Sequence, residues 1–342
     1  MAPWVEMRHI EQLRLHTRKQ EWPSKNAEMP TKDTESTETR RLQIKKMEKN
    51  PVKFRTFTEQ RYTCGLPYFK PNLNFHASNR IVGGLEAKPH SHPWQVFIKI
   101  FQTNKTFSTC GGSIIQRQTG FKNSSNLVLT AAHCLHDHGS WTAPAKFEVV
   151  AGAHNVKNAE RTQQKSRVKA YIPGDYSVYT FVNDIALLKL EKPLVFNKFV
   201  RPVCLPKFNE SLPIGYKCMV AGWGSLRESG KLSSRLIQIE APVLPTKRCW
   251  QNQNPQKMFC AGYLEGRKDA CQGDSGSPLV CRVGTKFIQY GLVSFGHGCA
   301  KKGYPGVYTR VSSFVQWIAK ADVKLQKVSA RVSKPTLGQH VK

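Results

Sequence analysis

The chain has 342 residues, of which 39% are hydrophobic, and carries a formal net charge of +29. The hydrophobic fraction is sufficient for a packed core, and the length fits one large domain or two small ones. No stretch approaches the roughly 18–20 consecutive apolar residues of a membrane-spanning helix, so no membrane span is expected. Residues 1–20 interleave charged side chains and lack the apolar core of a secretory signal peptide.

The chain divides into regions of different texture. Residues 1–63 are rich in Lys, Glu, Thr, Arg and Gln without an apolar period, which predicts a disordered N-terminal region. Residues 64–80 are rich in Pro and Asn and are predicted to form an extended tether. After residue 80, short β-like runs alternate with Gly, Pro and polar turns, which is typical of an all-β barrel or sandwich. The runs are Trp94–Phe101, Asn126–Thr130, Phe147–Val150, Asp184–Leu190, Lys217–Val220, Leu236–Ala241 and Lys286–Ser294.

Apolar residues near the C-terminus recur at helical spacing. Val311, Phe314, Val315 and Ile318 stand at i, i+3, i+4 and i+7, which predicts one amphipathic helix packed by a single face. Residues 323–342 are basic and aperiodic and are predicted to form a flexible tail.

The cysteines and glycosylation triplets favour an oxidising compartment. None of the ten cysteines lies in a CxxC pair or a Cys/His cluster, so no metal site is expected. They allow about 945 pairings, and spacing alone does not choose among them. Three N-x-Ser/Thr triplets, each weak alone, mark candidate glycosylation sites at Asn104, Asn123 and Asn209. We therefore expect a secreted protein whose signal peptide is missing from the sequence as given.

The positive charge belongs mainly to the region after residue 80, where 36 basic and 14 acidic residues give +22. A field of this sign attracts polyanions such as heparin-like sulfated glycans, acidic membranes or nucleic acid. No RNA- or DNA-binding motif is visible, so no nucleic acid is expected as a partner. A solvated basic surface without a partner explains the charge equally well.

Three motifs supply the parts of a nucleophilic catalyst. They are Leu129-Thr-Ala-Ala-His133-Cys134, Asn183-Asp184-Ile-Ala-Leu-Leu and Asp269-Ala-Cys-Gln-Gly-Asp-Ser275-Gly-Ser-Pro. A serine hydroxyl needs a base to take its proton, an imidazole titrates near neutrality, and a buried carboxylate fixes its tautomer. Ser275, His133 and Asp184 are therefore a candidate triad. Taken singly, the histidine could be a core residue beside a cysteine and the aspartate a turn residue.

The chain from Arg80 to about Asp322 resembles the trypsin/chymotrypsin-like serine endopeptidases. The resemblance rests on these three motifs and on two more, Arg80-Ile-Val-Gly-Gly and Gly306-Val-Tyr-Thr-Arg. Five motifs in the right order make the resemblance specific. It implies two six-stranded antiparallel β-barrels with the site between them, followed by the helix. It also implies hydrolysis through an acyl-enzyme on Ser275, with His133 as base and then acid, and with no cofactor. Protein substrates and protein inhibitors would be the partners.

The resemblance assigns roles to the surroundings of the triad. The backbone N–H groups of Gly273 and Ser275 match the oxyanion hole. A carboxylate matches the base of the primary pocket and would pair with an incoming Arg or Lys side chain. The pocket positions are Asp269 at the base, Gly296 and Gly306 in the walls, and Ser294 and Phe295 beside the substrate backbone. The family more usually has Trp where Phe295 stands.

The resemblance further implies an inactive precursor. Cutting between Arg80 and Ile81 would free an α-ammonium that turns inward and pairs with Asp274. In the uncut chain this buried aspartate would have no such partner, and a buried charge without its partner is destabilising. The implied disulfides are Cys64–Cys204, Cys110–Cys134, Cys218–Cys281, Cys249–Cys260 and Cys271–Cys299. The first would keep the pro-segment attached after cleavage.

Two departures from the family pattern stand out. Ser277 replaces a usual glycine, two residues after the nucleophile. The loop that begins at Ala153 lacks most of the carboxylates that hold calcium in some relatives. Its basic residues, which suit an anion-binding surface, an exosite for an acidic partner or a solvated loop, are Lys157, Arg161, Lys165, Arg167 and Lys169. A catalytically silent homologue is the alternative function, although such proteins usually lose a triad member and this chain has lost none.

Overall fold

The computed structural model describes residues 62–75, 84–102, 106–117, 123–137, 139–249, 254–266 and 268–332, with the backbone alone for 328–332. These residues form two β-sheet units, a small hairpin and one α-helix. The strands are β1 Leu85–Glu86, β2 Gln95–Phe101, β3 Phe107–Ile115, β4 Ser124–Thr130, β5 His136–Asp137, β6 Ser140–Trp141, β7 Phe147–Ala151, β8 Gln164–Pro173, β9 Ala186–Val195, β10 Lys217–Gly222, β11 Ile237–Pro242, β12 Met258–Ala261, β13 Pro278–Val283, β14 Lys286–Phe295 and β15 Gly306–Arg310. The helix, α1, is Val315–Val332, and the short 3₁₀ turns are His133–Leu135, Pro144–Lys146, Thr246–Arg248 and Val311–Phe314.

The first unit is a closed antiparallel barrel with strand order β2-β3-β4-β9-β8-β7. Alternate residues of a strand face opposite sides, so Val96, Ile98 and Ile100 of β2 point into the same buried cluster. Phe147 and Val149 of β7 enter that cluster from the neighbouring strand. This barrel has the six strands that the sequence predicts.

The second unit is a seven-stranded sheet in the order β1-β11-β10-β13-β14-β15-β12. Six of its strands, β10 to β15, form the second predicted set, and a single bridge between Val243 and Ala261 joins the ends of β11 and β12. The seventh, β1, has two residues and pairs with β11 at the edge. The all-β class is therefore confirmed, with three short strands more than predicted in the described residues, namely β1 and the hairpin of β5 and β6.

A shared apolar cluster packs the two units against each other. It joins Trp94 and Leu129 of the first unit to Val280 and Leu292 of the second, and α1 covers it with Ile318. Buried hydrogen bonds also cross the interface between the two units, which we call the seam. In one of them, Ser113 Oγ donates to Gln289 Oε1 at 2.6 Å. Loops at this seam are held rigidly, which suits a site that needs fixed geometry.

The C-terminal helix extends beyond the predicted domain end. Leu325 is 1% exposed and continues the apolar face of Ile318 and Ala321. The Lys189 ammonium donates to the Leu325 carbonyl at 3.0 Å. The predicted start of a flexible tail at residue 323 is thus wrong as far as Val332, because β9 supports this part of the helix. Residues 333–342 lie outside the described residues.

The segment before the predicted cleavage point is anchored to the second unit. Cys64 is bonded to Cys204, and the Gly65 N–H donates to the Pro202 carbonyl at 2.9 Å. Phe75 is only 6% exposed within the shared apolar cluster. The bonded cysteine pairs have the predicted connectivity, namely Cys64–Cys204, Cys110–Cys134, Cys218–Cys281, Cys249–Cys260 and Cys271–Cys299. The predictions for residues 1–61, Arg80 and Ile81 fall outside the described residues.

Candidate active site

Adjacent strands bring His133 and Asp184 together. His133 follows β4, Asp184 precedes β9, and the two strands pair with Thr130 opposite Ala186. His133 Nδ1 lies 2.7 Å from Asp184 Oδ2, and the His133 N–H donates to Asp184 Oδ1 at 2.9 Å. The carboxylate therefore holds both the ring and the backbone of the histidine.

Asp184 is fully buried, and two hydroxyl groups from the second unit donate hydrogen bonds to it. Ser294 Oγ donates to Asp184 Oδ2 at 2.5 Å, and Thr309 Oγ1 donates to the Asp184 carbonyl at 2.7 Å. The sequence predicted Ser294 beside the substrate and gave Thr309 no role. Thr309 belongs to the Gly306-Val-Tyr-Thr-Arg motif, which was the available signal for its position.

The electrostatics of this pair favour a charged imidazole. Burial disfavours that form, but the charge and hydrogen bond of Asp184 outweigh it and raise the pKa of His133 above its usual value. Burial also opposes ionisation of Asp184, yet the His133 charge and the bonds from His133 and Ser294 lower its pKa. An aspartate that stays ionised beside a histidine is suited to stabilising a proton on the ring.

Ser275 stands where two cavities meet. It lies in the turn before β13, and its carbonyl accepts a hydrogen bond of 2.7 Å from the Gly111 N–H of the first unit. One cavity, of about 200 Å³, has Asp269 in its lining. The other, of about 230 Å³, is lined by His133, and Ser275 lines both. Ser275 thus lies between the histidine and the cavity that contains Asp269.

The turn around Gly273 leaves two donors available. Gly273 has φ of +95°, and a Cβ there would lie 2.7 Å from Leu232 Cδ2, so a side chain is disfavoured by both backbone and space. Within the part of the chain that the structure describes, no group accepts a hydrogen bond from the N–H of Gly273 or of Ser275. Free N–H groups beside a nucleophile can stabilise an oxyanion.

Asp269 lies at the end of the 200 Å³ cavity. Its Oδ1 accepts from the Ala270 N–H at 2.9 Å and its Oδ2 from the Ala300 N–H at 3.3 Å. A Cβ on Gly306 would lie 2.8 Å from Asp269 Oδ1, so glycine in that wall keeps the carboxylate accessible. Burial raises the pKa of Asp269 to about 7, because the backbone bonds offset only part of the desolvation. A cation entering the cavity would favour the ionised form.

We expect cation binding in this cavity to strengthen as the pH rises through about 7. Only ionised Asp269 attracts a cation, so the affinity for benzamidine should be about 30-fold lower at pH 5.5 than at pH 8. Calorimetric titration of the cleaved Ser275→Ala variant measures it. Asp269→Asn is the control and should bind weakly at both pH values; a pH-independent affinity of the parent would contradict the assignment.

Phe295 forms part of the cleft wall next to this cavity. Its ring centroid lies 4.7 Å from that of Phe181, in the loop that leads to Asp184. Phe295, Ser294 and Gly296 all line the 200 Å³ cavity. The structure therefore brings together the predicted pocket residues, with the Ser294 hydroxyl turned toward Asp184.

Asp274 borders a small cavity of about 20 Å³, which shares Asp269 and Ala270 with the lining of the 200 Å³ cavity. Its oxygens accept hydrogen bonds from the N–H groups of Gly224, at 2.8 Å, and Cys271, at 3.1 Å. Burial raises the pKa of Asp274 to about 6, although these bonds act against the shift. Val220, Ile237 and Ile239 supply apolar walls. The cavity offers a buried carboxylate beside an apolar lining.

Ser277 is accommodated by its neighbours. It is fully buried, and its Oγ accepts a 3.0 Å hydrogen bond from Gln95 Nε2 of the first unit. A Cβ on Gly111 would lie only 1.9 Å from that oxygen, so a glycine opposite makes room for the hydroxyl. The departure from the family pattern adds a hydrogen bond across the seam.

Other potential sites follow from exposure and donor chemistry. Among the described residues, one group of potential metal ligands lies close together, Cys110, His133 and Cys134. Its two sulfurs are bonded to each other, so they offer no thiolate. Asn123 and Asn209 are exposed, whereas Asn104 lies outside the described residues. No described helix is both long and apolar enough to cross a membrane.

Two packed β units with a serine and a histidine–aspartate pair in the cleft between them define a serine endopeptidase. The family model described as Trypsin matches residues 81–318, and the chain belongs to the trypsin family. It is 39% identical to trypsin-2 of Salmo salar over 247 residues, which cover 70% of this chain and 94% of that protein. It is 40% identical to trypsin-1 of Salmo salar over 247 residues, 70% of this chain and 90% of that relative.

Proposed function

We propose that this protein is a secreted zymogen of an endopeptidase that cuts after Arg or Lys through a Ser275-His133-Asp184 triad. The observation that carries the proposal is the position of Ser275, between the His133 cavity and the Asp269 cavity. A peptide whose Arg or Lys side chain enters the Asp269 cavity would present the carbonyl carbon of that residue to Ser275. His133 then takes the hydroxyl proton and returns it to the leaving amine, leaving an acyl-enzyme for water to hydrolyse.

Charge stabilisation in this mechanism comes from two places. The free N–H groups of Gly273 and Ser275 would receive the oxyanion of the tetrahedral intermediate, and one such donor is commonly worth about 3–4 kcal/mol. Asp184 would stabilise the imidazolium formed in the same step, in keeping with the raised pKa of His133. Both effects need fixed groups, which the seam between the units supplies.

Substrate selection rests on Asp269. Its carboxylate is the charged group of the 200 Å³ cavity. Gly296 and Gly306 line the same cavity and have no side chains that would fill it. A long cationic side chain can reach it and make charge-assisted hydrogen bonds. The geometry serves guanidinium and ammonium groups alike, so we propose both Arg and Lys as acceptable residues before the cut bond.

Activation rests on Asp274. Val220, Ile237 and Ile239 are in the walls of the 20 Å³ cavity beside this carboxylate, which has room for a group of the size of a water molecule or an ammonium. Gly84, three residues after Ile81, is already close to those walls, since a Cβ on it would lie 2.6 Å from Ile239 Cγ2. Cutting after Arg80 would supply the ammonium that Asp274 lacks, and the anchored segment from Cys64 to Phe75 would remain as a disulfide-linked chain.

The test compares the protein before and after cleavage at Arg80, using small amide substrates with Arg, Lys or Ala before the scissile bond. Hydrolysis of the Arg and Lys substrates should rise about 10²–10⁴-fold on cleavage, since an unpaired buried charge costs about 3–5 kcal/mol. Arg80→Gln is the control and should stay at the low level after the same treatment. Inactivity after confirmed cleavage and correct disulfide pairing would favour a silent homologue.

Compartment and partners follow from the same features. Five disulfides and two exposed glycosylation triplets, at Asn123 and Asn209, support export to an oxidising compartment and a glycoprotein. Partners would be protein substrates, protein inhibitors that occupy the cleft, and heparin-like polyanions drawn by the net charge of +29. Retention on heparin that weakens with salt would support the last of these.

A further inference from the structure

A cavity of about 250 Å³ lies on the second unit, beside β12 and the segment that follows β11. It shares no lining residue with the cavities described above. Among the residues that the structure describes, its lining has one charged side chain, that of Arg310 at the end of β15. We call this cavity the Arg310 pocket. Most of its other lining residues are apolar, namely Leu212, Ile214, Val243, Leu244, Pro245, Pro255, Met258 and Phe259.

The guanidinium of Arg310 is held in place by the backbone beside the pocket. Its Nε donates to the Pro255 carbonyl and its Nη2 to the Met258 carbonyl, each at 3.1 Å. Its Cζ lies 5.0 Å from the centroid of the Phe259 ring, which is a cation–π contact. The Nη1 group makes no hydrogen bond to any residue that the structure describes. Because a guanidinium has five N–H groups, donors remain for a ligand.

No acidic side chain in the described part of the chain forms an ion pair with Arg310. Glu210, which is next to the lining in sequence, accepts hydrogen bonds from the Tyr290 hydroxyl and the Lys207 N–H, both at 2.7 Å. Burial lowers the pKa of Arg310, as expected for a charge that is partly removed from water without a partner. An anion bound at Nη1 would supply that partner.

The remaining lining suits an aliphatic chain better than a peptide backbone. The Val243 N–H already donates to the Tyr216 carbonyl at 3.0 Å. The Leu244 N–H likewise donates to the Cys260 carbonyl at 2.9 Å. A peptide backbone needs hydrogen-bond partners of its own, whereas a hydrocarbon chain needs none. The Ile214 side chain is 69% exposed, so a chain that covers it removes apolar surface from water.

We propose that the Arg310 pocket binds a small amphipathic carboxylate, namely a free fatty acid of short or medium chain length. The carboxylate pairs with the remaining N–H groups of Arg310 through charge-assisted hydrogen bonds. The hydrocarbon chain lies along Leu212, Ile214 and Leu244. The volume is just below the roughly 300–1,000 Å³ of small-molecule sites, which fits a ligand of this size better than a long lipid. The pocket is separate from the candidate triad and from the Asp269 cavity, so the inference does not depend on the proposed function.

The test is direct binding of sodium octanoate to the uncut Ser275→Ala protein, measured by calorimetric titration below the concentration at which micelles form. The matched ligand is 1-octanol, which has the same chain without the charge. Octanoate should bind at least about tenfold more tightly than 1-octanol, because hydrogen bonds between charged groups are the stronger ones. Acetate has the carboxylate without the chain and should show no binding in the same concentration range.

Arg310→Gln should remove the preference for the charged ligand, so that octanoate and 1-octanol bind within about twofold of each other. This readout compares two ligands on one protein, so a general loss of stability would not produce it. Arg161→Gln makes the same change on an exposed arginine of the first barrel and should keep the preference.

A second variant keeps the test decisive if Arg310→Gln fails to fold, which circular dichroism checks. Ile214→Glu places a negative charge on an exposed lining residue and should weaken octanoate binding at least about fivefold, because like charges repel. Val195→Glu makes the same change on an exposed valine of β9 and should alter binding less than about twofold.

Three outcomes would overturn the proposal. Equal binding of octanoate and 1-octanol by the Ser275→Ala protein would indicate unspecific apolar contact. Equal weakening by Arg310→Gln and Arg161→Gln, or by Ile214→Glu and Val195→Glu, would indicate general attraction to the net charge. The tripeptide N-acetyl-Gly-Gly-Leu, with a free carboxylate, is titrated in parallel. If it binds more tightly than octanoate and loses this affinity in Arg310→Gln, the ligand is a peptide C-terminus and not a fatty acid.

Discussion

Replacing Ser275 by alanine in the cleaved protein is expected to lower kcat by about 10⁶, with KM little changed. The substitution removes the atom that forms the acyl bond and leaves the Asp269 cavity intact. Its backbone N–H also remains, so the oxyanion donors are preserved and residual activity above the uncatalysed rate should persist. Steady-state hydrolysis of an Arg amide substrate measures the loss.

The matched control is Ser313→Ala, a half-buried serine whose hydroxyl donates to the Gln256 carbonyl at 2.5 Å. It should leave kcat within about twofold. A hydroxyl-directed covalent inhibitor should label the cleaved parent and the control but not the Ser275 variant. Retention of full activity in Ser275→Ala would remove the acyl-enzyme mechanism altogether.

Asp184→Asn should lower kcat at neutral pH by about 10⁴, the typical loss when the aspartate of a Ser-His-Asp triad becomes asparagine. The groups that contact the Asp184 carboxylate are the His133 N–H, His133 Nδ1 and the Ser294 hydroxyl. A carboxylate accepts from all three, whereas an amide has one oxygen and must direct its NH₂ toward a donor. If that NH₂ meets Nδ1, the ring proton moves to Nε2 and His133 can no longer act as a base.

Asp175→Asn is the control, because it makes the same chemical change on an exposed side chain of the loop before Asp184. The pH profile distinguishes a catalytic from a structural effect. The parent should lose activity as the pH falls below the His133 pKa, because the protonated ring cannot accept the serine proton. A mere loss of stability in Asp184→Asn would scale the whole profile without changing its shape.

Motifs made the position of the candidate site predictable. The parts of the candidate triad and the pocket carboxylate lie in short segments whose residue types have a chemical reason, and the interface between the two units brings those segments together. Seven β runs were also visible, since hydrophobic residues and turns alternate there. The strand Phe107–Ile115 was missed because Ser, Thr and two glycines interrupt its apolar pattern.

Long-range contacts were not predictable from one sequence. Ser294 and Thr309 reach Asp184 across 110 and 125 residues, and Gln95 reaches Ser277 across 182. No local period encodes such pairings. The continuation of α1 to Val332 has the same origin, because Leu325 packs in the shared apolar cluster and its carbonyl accepts a hydrogen bond from Lys189 of the first barrel.

The position of Gly84 limits the distance over which the new N-terminus could move during activation. Gly84 begins the described chain after the cleavage point, with φ of +115° and close contacts to the second sheet. Three residues span at most about 10 Å, so the proposed cleavage would confine the new terminus at Ile81 to a small volume around the Asp274 cavity. Confinement of this kind corresponds to an effective concentration of order millimolar or above. Insertion of the new N-terminus would therefore be an intramolecular step whose rate does not depend on protein concentration. The rate of activation would be set by the peptidase that cuts the chain.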